Sequence, residues 1–242
     1  MAVTGTSNYD GFMVLPGQFL ERPAIISVSE DVVLEGLFHR GNETPGLLVC
    51  PAVDPLGNAG MHAPVVAELA FACARHGRPS LRFAHRGMGA SLGEVDPSKA
   101  LEDAEAAFRH LEASVGSDLS VAGYLTGVRT AVSLTRRVGR VRHLVLVAPT
   151  EAIELGGIEA EVFVVLPEAS DRAVRDSFVR SFEKRPDAIE LVGEADERFH
   201  RGLDDLSRRV SEWLSGGVRT ERRRSDWLEE AAARLAGLQP GD

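Results

Sequence analysis

Short apolar runs at residues 46–53, 80–84, 119–124, 143–148, 162–166 and 189–192 alternate with longer segments of helical period. A tight turn cannot join parallel neighbours, which need a crossover of roughly a dozen residues or more, so this rhythm predicts a mostly parallel sheet with helices on both faces. Two further runs, 24–28 and 32–38, are separated only by Ser29-Glu30-Asp31, which predicts an antiparallel hairpin at one sheet edge.

The helices fall between the runs. Residues 62–76 carry Val65, Val66, Leu69, Ala70 and Cys73 on one face, with Gly77 as a stop. Ser98 is positioned to cap a second helix whose stripe is Leu101, Ala104, Phe108 and Leu111. Segments 126–138, 172–182 and 203–214 complete the crossovers. Residues 222–238 predict a further C-terminal helix with Trp227, Leu228, Ala231, Leu235 and Leu238 on one side. It can pack back on its own domain or serve a homo-oligomer or partner. Residues 1–22, with Gly5, Gly11, Pro16 and Gly17, show no sustained period and read as an irregular lead-in. The expectation is one α/β domain over residues 1–242.

Composition narrows the partners. With 27 basic and 36 acidic residues the formal charge is -9, which repels nucleic acid and anionic lipid. No stretch approaches the roughly 20 apolar residues needed to span a bilayer, and no basic leader precedes an apolar run, so a soluble cytoplasmic protein is expected. Cys50 and Cys73 form neither a disulfide framework nor a metal pair and read as buried hydrophobes. No histidine pair has the spacing of a helical metal site, so neither metal nor cofactor is expected.

The most informative stretch is Gly123-Tyr124-Leu125-Thr126-Gly127, which runs from a buried strand into a helix. Its glycines are spaced as in G-x-S-x-G, the strained turn that presents a nucleophilic serine. Residues 82–94, Arg82-Phe83-Ala84-His85-Arg86-Gly87-Met88-Gly89-Ala90-Ser91-Leu92-Gly93-Glu94, and residues 193–201, Gly193-Glu194-Ala195-Asp196-Glu197-Arg198-Phe199-His200-Arg201, add to it. With these three segments, and Pro51 to Asn58 in partial agreement, the chain resembles the α/β-hydrolase superfamily, in particular its small capless members. The resemblance runs in order from about residue 34 to 214. It implies an α/β-hydrolase fold without a substantial lid, since only residues 149–161 separate the strands that would flank one.

The same resemblance exposes a degenerate triad. Leu125 stands at the serine position and has no lone pair with which to attack a carbonyl. Glu197 stands at the histidine position. The acid position falls on Glu168, Ser170 or Asp171. The resemblance further implies an oxyanion hole from the backbone of Thr126 with Val53 or Asp54. Candidate catalytic side chains are Asp54, His85 and Glu197, the last serving as a base only if burial lifts its pKa. Candidate substrate contacts are Tyr124, His62 and His200. Cys50, at the end of the strand leading to the oxyanion loop, is the one candidate for a relocated nucleophile.

Whether the chain is an enzyme stays open. One expectation is an acyltransferase that holds an activated ester or thioester and lets an incoming hydroxyl attack directly, as in natural-product biosynthesis, with an acyl carrier protein or peptide as macromolecular partner. The others are a noncatalytic pseudo-hydrolase that binds a ligand or partner, and a hydrolase with a relocated nucleophile.

Overall fold

The computed structural model describes residues 8–9, 12–13, 21–56, 59–182 and 188–215. In the lead-in, β1 (Asn8–Tyr9) pairs antiparallel with β2 (Phe12–Met13). The expected C-terminal helix at 222–238 lies outside the described residues.

The predicted hairpin is β3 (Glu21–Ser27) and β4 (Val33–His39), antiparallel and at the sheet edge. Then follow β5 (Gly46–Cys50), α1 (Pro64–Arg75), β6 (Ser80–Phe83), α2 (Ala100–Val115), β7 (Leu119–Tyr124) and α3 (Gly127–Val138). The chain continues through β8 (His143–Val147), β9 (Glu161–Pro167), α4 (Arg172–Phe182), β10 (Ala188–Val192) and α5 (Leu203–Leu214). The eight-stranded sheet has the order β10-β9-β8-β7-β5-β6-β4-β3 and is parallel from β10 to β6.

Because strand side chains alternate faces, β5 splits its apolar run between two cores. Leu48 and Cys50 join the cluster under α2, α3 and α4, with Phe108, Ala131 and Phe178. Leu47 and Val49 join the cluster under α1 and α5, with Val66, Leu69, Val210 and Trp213. Burial on both faces explains why these strands read as continuous hydrophobic runs rather than as alternations.

One local expectation is corrected. Ser98 caps no α-helix: it lies in a 3-10 turn, Pro97–Lys99, whose cap is Asp96, and the Ser98 amide and hydroxyl both donate to Asp96. Asp96 takes the cap because Pro97 fixes the first turn one residue before Ser98. Residues 148–160 contain neither helix nor strand, so no lid interrupts the sheet between β8 and β9. No helix among the described residues is long and apolar enough to cross a membrane.

Candidate functional site

From β5 the chain turns to β6 on one side and later to β7 on the other, since β5 pairs with both. Such a switch point opens a crevice beyond the carboxyl ends of the strands, where open α/β sheets bind ligands. The loop after β5 and the turn after β7 meet there.

The turn keeps the shape of a nucleophile elbow without the nucleophile. Leu125 has φ 51°, a left-handed conformation that costs a branched residue roughly 1–2 kcal/mol. Its amide donates to the Val147 carbonyl at 3.1 Å, and its own carbonyl accepts Val128 at 3.1 Å. The flanking glycines are steric necessities. A Cβ on Gly123 would stand 2.7 Å from Val128 Cα, and one on Gly127 would stand 2.4 Å from the Cys50 carbonyl and 2.5 Å from that of Pro51. Close packing therefore brings the start of α3 against the backbone that opens the loop after β5. Leu125 is half-buried and packs on the α1/α5 core, whereas Thr126 is exposed. Among the described residues the Thr126 amide has no acceptor.

The polar candidates distribute differently from one another. Asp54 has both carboxylate oxygens occupied within its own loop, by the Leu56 amide at 3.0 Å and the Ala59 amide at 2.9 Å. It shapes the loop that carries Val53. His85 is 1% exposed: Nδ1 faces Asp103 Oδ2 at 3.4 Å, Nε2 faces the Pro51 carbonyl at 3.3 Å, and Phe83 packs edge-on against its ring. Both ring nitrogens thus face groups of the protein itself, one of them the first residue of the loop after β5. Asp103 is fully buried and also receives the Arg86 backbone and guanidinium. Burial alone would raise its pKa, but the bonds from His85 and Arg86 outweigh it and hold the carboxyl below its ordinary range.

Glu197 is exposed, so the burial that would make its carboxylate a base is absent. Its backbone carbonyl instead accepts the Tyr124 hydroxyl at 3.2 Å. Tyr124 is 1% exposed, and that desolvation pushes its pKa up to about 12; its hydroxyl bond ties β7 to the loop after β10. His62 is exposed just before α1. His200 is exposed too, with Nδ1 donating to Asp196 at 2.7 Å, a bond that lowers the Asp196 pKa.

Three side chains contend for the acid position. Asp171 caps α4 through the Ala173 and Val174 amides, and Glu168 accepts the Glu194 amide at 2.6 Å. The Ser170 hydroxyl is buried and has no partner among the described residues. The thiol of Cys50 is fully buried and desolvation pushes its pKa far up, which withholds the thiolate a nucleophile needs. Among the described residues no group of three or more His, Cys, Asp or Glu side chains converges as a metal-ligand set. One polar residue escaped the sequence reading altogether. Arg175 occupies a helix position that looks like solvated surface, yet it is only 8% exposed. Its neighbours Val174 and Phe178, both buried on the same helix, were the available signal.

No protein-family model and no curated protein matches the sequence. Solved structures do match. An Agrobacterium tumefaciens protein assigned to the α/β hydrolases superposes with a TM-score of 0.73 at 20% identity, over 83% of this chain and 98% of its own. An α/β serine hydrolase homologue from Coxiella burnetii gives 0.70 at 23% identity, over 84% of this chain and 100% of its own. A Xanthomonas campestris α/β serine hydrolase without a lid gives 0.67 at 20% identity, over 85% and 96%. The chain has the α/β-hydrolase fold.

Proposed function

We propose that this protein is a pseudo-hydrolase that holds the carbonyl of an acyl ester or thioester at the elbow without forming a covalent bond to it. The observation that carries this reading is Leu125 at φ 51°: a strained turn persists where no nucleophile uses it. What the turn still presents is the Thr126 amide at the start of α3, beside the loop of Val53. Oriented amides of this kind polarise a carbonyl oxygen whatever side chain stands at position 125.

The same geometry disfavours ordinary hydrolysis. Leu125 cannot attack, and Glu197 is no imidazole. Asp54 and His85 are committed to the loop and to the core.

A second reading, direct acyl transfer, is favoured by the open mouth, because residues 148–160 leave the crevice uncovered. A carrier protein or peptide can reach such a mouth, and an incoming hydroxyl would attack the held carbonyl directly. Proximity would supply much of that rate, since well-oriented reactants recover roughly 7–11 kcal/mol of barrier.

Calorimetry with N-acetylcysteamine thioesters of graded chain length tests the binding claim. Saturable binding is expected, lost in Leu125→Trp, where an indole fills the space above the turn. Equal binding by parent and variant would remove the elbow from the account. Consumption of the thioester only when a hydroxyl acceptor is added would select the transfer reading.

A further inference from the structure

Strand β6 lies inside the sheet, between β5 and β4, yet its third residue is an arginine. Leu81 and Phe83 join the core under α2, α3 and α4, so alternation sends Arg82 to the opposite face. It is 4% exposed there, and a cation so buried is kept only when it is paired. The partner is Glu21, the first residue of the edge strand β3. Nε donates to Glu21 Oε1 at 2.9 Å and Nη2 to Oε2 at 2.7 Å, while His39 Nε2 stands 3.6 Å from the same carboxylate.

The remaining arm of the guanidinium reaches the loop after β5. Nη1 donates to the Met61 carbonyl at 2.9 Å. Met61 lies at the far end of that loop, just ahead of α1, and its buried side chain shares a small cluster with Ala84 and Met88, against which Val53 and Leu37 pack. The two limbs of the loop are joined by the Ala52 amide, which donates to the Ala59 carbonyl at 3.2 Å. His85 faces the first residue of the loop, at Pro51, and Arg82 grips the far end. Val53 lies between the two holds.

We propose that Arg82 is a positioning residue for the elbow: braced by Glu21, it holds the Met61 carbonyl and so keeps Val53, the expected second donor to a ligand carbonyl, in place. That Val53 serves such a carbonyl rests on the function proposed above; the hold on the loop does not. The residue type fits the task. A guanidinium takes two carboxylate oxygens in one plane and still aims a third nitrogen at a carbonyl, whereas a lysine offers a single point charge. The edge hairpin, remote in sequence from the elbow, is thereby coupled to it through one side chain.

Hydrogen exchange of the full-length ¹⁵N-labelled protein and calorimetry with N-acetylcysteamine thioesters test this together. The Ala52 amide reports on the loop, and the Val121 amide in β7 reports on the fold as a whole. In Arg82→Lys, Ala52 should exchange at least about tenfold faster relative to Val121, and thioester affinity should fall about tenfold, the effect of one hydrogen bond from a charged group. Glu21→Gln, which leaves the Met61 bond but removes the charge that braces it, should move both in the same direction by less. If Arg82→Lys fails to fold by circular dichroism, the double variant Glu21→Leu with Arg82→Met takes its place, because exchanging a whole buried ion pair for apolar residues is often near neutral for stability. Ala52 exchange that rises no more than that of Val121 would overturn the proposal, and so would faster Ala52 exchange with unchanged thioester affinity. Absence of thioester binding by the parent would remove the elbow assignment alone, and Ala52 exchange would then decide whether Arg82 holds the loop.

Discussion

His85 Nε2 lies 3.3 Å from the Pro51 carbonyl, so a buried imidazole on one side of the crevice fixes the first residue of the loop on the other. The same carbonyl is one against which Gly127 packs too closely for a side chain. Asp103, His85, Pro51 and the start of α3 are thereby one connected support for the elbow.

The anchor of that support is the Asp103 carboxylate. Asp103→Asn takes from Arg86 its buried carboxylate and leaves it only the half-exposed Glu102 at 3.3 Å, which should cost about 3 kcal/mol at neutral pH. Because the folded-state pKa lies below the unfolded value, the carboxylate's contribution is complete above about pH 4. It is lost as the pH falls through the folded value. Urea unfolding of both proteins at pH 7 and at pH 3 should therefore show a smaller gap at the lower pH; a constant gap would deny the ionic role.

Gly127→Ala should disrupt the elbow far more than any change at position 125. Its Cβ would meet the Cys50 and Pro51 backbone at 2.4–2.5 Å, and backbone cannot step aside as a side chain can. A loss of about 3 kcal/mol or more, or failure to fold, is expected. Leu125→Gly should stay within about 1 kcal/mol of the parent, since relief of the left-handed strain offsets the lost half-buried leucine. Thermal unfolding of the two variants compares them, and similar losses would mean that the glycines do not set the turn.

Restoring one triad member should not restore the enzyme. Leu125→Ser should fold and give negligible p-nitrophenyl acetate turnover, because no imidazole serves it. Adding Glu197→His should raise turnover by about tenfold or more. Rapid hydrolysis by Leu125→Ser alone would reveal a base elsewhere in the crevice.

Cys50 should resist iodoacetamide in the folded protein at pH 8, and so should Cys73, whose burial raises its thiol to about 12. Intact mass should show no carbamidomethylation without denaturant and two additions with it. Fast labelling at Cys50 in the folded state would reopen the relocated nucleophile.

The fold was legible because its determinants are periodic and local. Alternating apolar runs located the strands of the parallel sheet, and Ser29-Glu30-Asp31 marked the edge hairpin. The elbow was legible because glycine spacing encodes a steric requirement that Gly123 and Gly127 now show explicitly. Boundaries slipped where a neighbour competed, as when Asp96 displaced Ser98 at the start of the second helical segment.

The site was less legible because polar side chains choose partners that sequence places far away. Nothing around His85 announces Asp103, 18 residues on, or Pro51, 34 residues back. Asp54 resembled a functional residue until its oxygens were seen to bind Leu56 and Ala59. Arg175 looked like solvated helix surface, and only tertiary burial turns it into an unpaired cation.

The account rests most on the Thr126 amide being offered to a ligand carbonyl. Its ¹H resonance should be followed while a ketone analogue of an N-acetylcysteamine thioester, which cannot be hydrolysed, is titrated into the ¹⁵N-labelled protein. The prediction is a saturable downfield shift of Thr126 that is abolished in Leu125→Trp, as expected of an amide that gains a hydrogen bond. Saturable binding of the ketone with the Thr126 resonance unmoved would contradict it.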